Sequence, residues 1–180
     1  MNTFICLLRG INISGQKKIK MAYLKSYFEE IGFKKIITYI QSGNVIFNSK
    51  ITDPKKIEKL IFDKIKMQYD FEVETIVKTP EELKMVLENN PFIKQNKDES
   101  KNYVTFLFNE PAKERILVLK EKDFSPEEYF IAKNIFYFYS PNGYGNAKMN
   151  NNFIENKLKV IATTRNWQTV NKLLELSKQN

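Results

Sequence analysis

The residues best suited to chemistry stand in one stretch near the start of the chain, Arg9-Gly10-Ile11-Asn12-Ile13-Ser14-Gly15-Gln16-Lys17-Lys18. It leaves an apolar run over residues 4–8 and leads into a helical pattern beginning at Met21. A strand, a glycine-bearing loop and a helix start make an anion-binding geometry. The first helical N–H groups have no intrahelical partner, and the helix dipole adds partial positive charge there. Gly10 lets backbone approach a ligand closely, Arg9 and Lys18 add full charges, and Asn12 offers both a donor and an acceptor. Neither G-x-G-x-x-G nor G-K-[ST] occurs, so this is neither a dinucleotide fingerprint nor a Walker loop. The same pattern also serves as a plain connection with solvated lysines.

A second cluster, Thr163-Thr164-Arg165-Asn166-Trp167, precedes the last helical pattern. Arg165 can grip phosphate or carboxylate with two parallel hydrogen bonds. Thr163, Thr164 and Asn166 can cap the helix, and Trp167 can stack on a base or anchor the helix by packing. A third polar segment, Gln41-Ser42-Gly43-Asn44, has the composition of a tight turn between strands.

The sequence contains no histidine. Ser-His-Asp and Cys-His nucleophilic schemes, histidine general bases and most zinc sites are thereby excluded. The two motif loops carry no Asp or Glu, which argues against carboxylate-pair and metal chemistry; no cofactor and no metal site are expected. The single cysteine, Cys6, lies within the first apolar run, cannot form an internal disulfide, and reads as buried packing. With no signal-peptide pattern and no apolar run long enough to span a membrane, the expectation is a cytoplasmic protein with no membrane partner.

Net charge is +8 over 180 residues. It is unevenly spread: residues 1–79 hold 14 basic and 8 acidic side chains, and residues 133–180 hold 7 and 2. Positive charge therefore collects around the two motif loops, a field that attracts phosphates, nucleic acid or acidic partners.

The elements that must position these residues follow from periodicity. Residues 4–8 read as a buried strand. Met21, Leu24, Phe28 and Ile31 mark an amphipathic helix closed by Gly32. Residues 35–41 and 44–48 read as strands around Ser42-Gly43, Asp53-Pro54 starts a helix, and residues 72–78 form another strand. This β-α-β-β-α-β order is the ferredoxin-like split βαβ pattern. In that topology residues 9–12 must meet residues 41–44 at one edge of the sheet, with the helix start near residues 18–21 beside them.

Thr79-Pro80-Glu81-Glu82 opens the second half with a capping box. Residues 91–101 read as a loop. Strands at 103–108, 128–132 and 135–140, helices at 111–119 and 152–158, an extended stretch at 160–164 and a helix at 167–177 suggest a second unit of the same kind. The expected fold class is α+β: two linked ferredoxin-like domains with antiparallel sheets, residues 1–79 and 80–180, with extra helices in the second. Phe136 and Phe138 lie on one strand face and Ile135, Tyr137 and Tyr139 on the other. An RNA-recognition sheet displays aromatics in this way, but neither half carries the RNP1 pattern.

Leu7-Leu8-Arg9-Gly10-Ile11-Asn12, Gly15, Lys18, Met21, Leu24, Gly32, Thr38-Tyr39, Gln41-Ser42-Gly43-Asn44-Val45 and Phe47 resemble the domain of unknown function 1697 family. So do Thr163-Thr164-Arg165-Asn166-Trp167, Thr169-Val170 and Lys172-Leu173-Leu174 near the end. Ser14 departs from it, standing where the family usually has a second glycine. The resemblance implies two linked ferredoxin-like domains and implies no particular reaction. The functional expectation is a soluble binding protein for a phosphate-bearing ligand, with nucleic acid as the most natural form. Arg9, Gly10, Asn12, Lys18, Gln41, Ser42, Gly43, Asn44, Thr164, Arg165, Asn166 and Trp167 are the candidate ligand-binding residues. The alternatives are an enzyme acting on a small anionic substrate in the same cleft, or a protein-interaction module using exposed strand edges.

Overall fold

A computed structural model of the chain describes residues 1–13 and 15–180; Ser14, singled out above, lies outside the described residues. The chain divides into two compact units, Met1–Met85 with Lys172–Asn180, and Val86–Asn171. The sequence pattern divides the chain at residues 79 and 80, and the boundaries of these units lie within the chain at residues 85–86 and 171–172. They cut through two continuous helices, Pro80–Glu88 and Trp167–Ser177. The fold class is α+β, with two four-stranded antiparallel sheets and seven α-helices among the described residues.

The first unit runs β1 (Asn2–Leu8), α1 (Met21–Ile31), β2 (Lys34–Tyr39), β3 (Asn44–Ser49), α2 (Pro54–Gln68) and β4 (Thr75–Lys78), followed by the start of α3 (Pro80–Glu88). The sheet order is β2-β3-β1-β4. β1 is central, with Leu7 opposite Asn44 on one side and Leu8 opposite Thr75 on the other. Its residues Phe4, Cys6 and Leu8 join Val45 and Phe47 of β3 in a core closed by Leu24 and Phe28 of α1 and Ile57, Ile61 and Ile65 of α2. Within it the Phe33 and Phe47 rings stack at 4.5 Å, and Phe28 meets Phe47 edge-on at 5.2 Å. Local chemistry sets the helix ends. The Asp53 side chain accepts from the Lys55 N–H with Pro54 in the first turn, and Gly32 closes α1. Thr79 and Glu82 form the expected reciprocal box, Oγ1 accepting from the Glu82 N–H at 3.2 Å and Oε2 from the Thr79 N–H at 2.9 Å.

The second unit runs α4 (Pro91–Lys94), β5 (Asn102–Leu107), α5 (Lys113–Lys120), β6 (Glu128–Ala132), β7 (Ile135–Tyr139), α6 (Asn151–Leu158) and β8 (Ala162–Asn166), and α7 (Trp167–Ser177) begins within it. The sheet order β6-β7-β5-β8 repeats that of the first unit. Phe136, Phe138, Leu107, Leu119, Ile154 and Leu158 belong to its core. Residues 91–101 are not wholly a loop. Asn90 caps α4 by accepting from the Phe92 N–H at 3.0 Å, Phe92 is buried, and Glu99–Lys101 form a 3-10 turn.

Candidate functional site

The loop after β1 and the turn between β2 and β3 meet at one end of the first sheet, with the start of α1 beside them. Leu8 N–H donates to the Gly43 carbonyl at 2.8 Å. Gly43 has φ 78°, and a Cβ there would stand 2.7 Å from Ile11 Cδ1 and 2.8 Å from Leu8 Cβ, so the turn seats itself on the loop only through glycine. Asn12 does the rest. Its Nδ2 donates to the Gln41 carbonyl at 2.8 Å and the Ile19 carbonyl at 2.9 Å, while its Oδ1 accepts from the Ile19 N–H at 2.9 Å. Asn12 sits at φ 57°, a region asparagine tolerates better than most residues. One side chain thus ties the loop to the residues just before α1 and to the distant β2–β3 turn. Asn44, fully buried, spans its own turn by donating to the Tyr39 carbonyl at 3.1 Å and Ser42 Oγ at 3.0 Å. The amides of Asn12 and Asn44 thus bond within the loop and the turn that they join.

What the site presents outward is cationic. Lys18 and Lys20 are exposed, and among the described residues neither ammonium makes a hydrogen bond or ion pair. Lys20 lies over the Tyr23 ring at 5.7 Å. Lys17 donates from Nζ to the Glu72 carbonyl at 2.7 Å, fastening the loop to the segment before β4. The first turn of α1 has no side-chain cap from Lys20 and no acidic residue. Open space surrounds the place where a Cβ of Gly10 would be, so backbone is accessible there. Arg9, at the end of β1, is half-buried and donates its N–H to the Glu74 carbonyl at 2.9 Å.

That last contact brings in residues the sequence reading passed over. The motif loops themselves lack carboxylates, but Glu72 and Glu74 arrive beside them because β4 pairs with β1. The signal was present in the β-α-β-β-α-β order, which puts the start of the fourth strand beside the end of the first. The Glu72 carboxylate is taken by Lys66 at 2.6 Å, and this hydrogen bond, with the attraction of the carboxylate, holds the Lys66 ammonium above its ordinary pKa. Two hollows of this unit, about 540 and 430 Å³, are lined by residues 50–63 and 66–71, and neither includes a residue of the motif loops.

The second cluster is built differently. Thr164 lies opposite Thr105 in the sheet, and their hydroxyls are 2.8 Å apart; Thr164 Oγ1 also donates to Asn151 Oδ1 at 3.0 Å. Arg165 is 6% exposed, and Nη1 donates to Thr163 Oγ1 at 2.8 Å and the Thr164 carbonyl at 3.0 Å. Asn166 caps α7, Oδ1 accepting from the Thr169 N–H at 2.7 Å. Trp167 is 4% exposed. These four residues are structural members of β8 and the start of α7. Arg165 and Trp167 are buried, Thr164 is half-buried, and Asn166 is exposed. Most of the aromatic strand β7 is buried as well, with Tyr139 half-buried. Phe136 and Phe138 are core, and Tyr137 is buried with its hydroxyl donating to the Val86 carbonyl at 2.8 Å. Burial pushes that phenol up to about 12.

Among the described residues no three His, Cys, Asp or Glu side chains gather as a metal site requires, and no helix is long and apolar enough to cross a membrane. Two like-ordered α+β units with a braced, basic loop at one sheet end define the class of protein. The family described as protein of unknown function (DUF1697) matches residues 1–137, and the chain belongs to that family. The match takes in the loop and the β2–β3 turn and ends before residues 163–167. Comparison with curated proteins gives no match. Among solved structures the chain is similar to the conserved bacterial protein SP0830 from Streptococcus pneumoniae, at 22% identity with a TM-score of 0.75, over 97% of this chain and 98% of that one. At that identity the likeness speaks for the fold alone.

Proposed function

We propose that this is a binding protein for a phosphate-bearing ligand, with nucleic acid the form to test first. The observation that carries the reading is the braced sheet end: loop, turn and helix start are held together from within by Asn12 and Gly43, leaving Lys18, Lys20 and open backbone at Gly10 facing outward. A site whose own amides are satisfied needs no ligand to form, and preformed donors bind anions at little ordering cost. Arg9 and Lys18 supply the phosphate contacts. We infer in the same way that each unit is a ferredoxin-like domain, supported by the repeated β-α-β-β-α-β order with the first strand paired between the third and fourth. A lone buried thiol, Cys6, suits a reducing cytoplasm.

The test is anisotropy of a labelled mixed-sequence single-stranded oligonucleotide across a salt series, together with thermal shifts in inorganic pyrophosphate. Binding should weaken with salt, and Lys18→Ala should weaken both ligands at unchanged Tm. Indifference of both ligands to Lys18→Ala would remove the reading. Turnover of a phosphorylated metabolite would move it to the enzyme class.

A further inference from the structure

We infer that Tyr23 is a stacking platform for one base of single-stranded nucleic acid, with Lys17, Lys18 and Lys20 on the flanking phosphates. This rests on the phosphate-binding reading above and names its ligand. Of the aromatic residues that the sequence offered for stacking, Trp167 is 4% exposed, Phe136 and Phe138 are core and Tyr137 is buried, while Tyr139 is half-buried. Tyr23 is the reverse case, 51% exposed on the first turn of α1, where the basic loop ends. An aromatic ring left half in water beside Lys18 and Lys20, whose ammonium groups make no hydrogen bond or ion pair among the described residues, gains most from a flat, anionic partner.

Its surroundings fit that use. Lys20 already lies on the ring at 5.7 Å, so one cation is poised beside whatever stacks there. One helical turn on, Tyr27 meets Tyr69 edge-on at 6.1 Å, and Tyr69 stacks on Phe71 at 5.0 Å. This row gives the helix face a rigid backing. Lys17, tied through Nζ to the Glu72 carbonyl, fastens the loop to the same segment that carries Tyr69 and Phe71. On that segment the Glu72 carboxylate pairs with Lys66 at 2.6 Å. Ile13 and Ile40, 56% and 48% exposed, stand next to the bonded pair Asn12 and Gln41 and add apolar contact for a sugar or base edge. Nucleic acids bound without sequence preference use this combination of aromatic face and cationic track.

The experiment uses the full chain and a single-stranded oligonucleotide containing 2-aminopurine, whose fluorescence is quenched on stacking. Tyr23→Ala should weaken binding roughly 5- to 150-fold, the equivalent of about 1–3 kcal/mol for one stacked base, and abolish the quench with the salt slope unchanged. Tyr23→Phe should retain both. Lys18→Ala should lower the salt slope by about 0.7 while the quench persists at saturation. If Tyr23→Ala binds and quenches like the parent while Lys18→Ala still weakens binding, the stacking role is wrong and the phosphate reading stands. If pyrophosphate raises Tm in a Lys18-dependent way but no oligonucleotide binds, the nucleic-acid assignment is wrong and the phosphate reading again survives. Absence of both responses removes both.

Discussion

Asn12 and Gly43 decide whether the site exists at all. Gly43→Ala must take a left-handed backbone and fit a methyl 2.7 Å from Ile11 Cδ1, so it should cost about 2–4 kcal/mol in urea denaturation, combining conformational and overpacking penalties. Asn12→Ala removes three hydrogen bonds to backbone and should cost about 2–3 kcal/mol in the same measurement. Arg165 makes the opposite case to an exposed binding arginine. Its guanidinium is buried on Thr163 and the Thr164 carbonyl, so Arg165→Ala should lower stability by about 1.5–3 kcal/mol and leave oligonucleotide affinity at the folded state unaltered. An arginine that loosened ligand binding without lowering Tm would restore the reading its sequence context suggested. The sequence shows the residue types at these positions but not which way each faces. Gly43 reads as a common turn glycine until Ile11 and Leu8 are seen to crowd it, and Arg165 reads as a candidate phosphate or carboxylate contact until β8, placed beside β5, is seen to bury it.

At the scale of elements, legibility follows locality. Asp53-Pro54, Gly32 and the Thr79–Glu82 box announce helix ends through bonds between residues two to four apart, and the structure has them where the sequence puts them. Asn90-Pro91 carries the same signature as Asp53-Pro54, yet α4 was hidden by the polar residues that follow it, because a four-residue helix shows no periodicity. The meeting of the β1 loop with the β2–β3 turn was legible for a different reason: strand order alone brings them together. What strand order does not show is that Asn12 would be the brace. The Thr79 box is a direct check on a local signal. Thr79→Ala should destabilise by about 1 kcal/mol, and pairing it with Glu82→Ala should cost less than the sum, since each bond depends on the same turn.

The whole molecule carries its acid–base signature at high pH. Tyr137, through burial, and Tyr69, through burial and its hydrogen bond with Tyr27, are both pushed up to about 12. A phenol whose folded pKa lies above its unfolded value near 10 stays protonated in the fold while the unfolded chain ionises. The unfolded state then holds fewer protons, so this contribution to stability is intact below about pH 10 and is lost as pH rises towards 12. Thermal unfolding should show Tm falling across that window, and Tyr69→Phe should flatten the decline; a Tm unchanged to pH 12 would contradict it. One further property follows from how the chain is divided. The first unit is discontinuous, its last piece being Lys172–Asn180, while the second is one unbroken segment. During synthesis the strands of the first unit leave the ribosome first, yet that unit is complete only after all of the second has been made. The order of translation and the order of completion are therefore reversed, and a chain halted after residue 171 would carry its defect in the unit that was begun first.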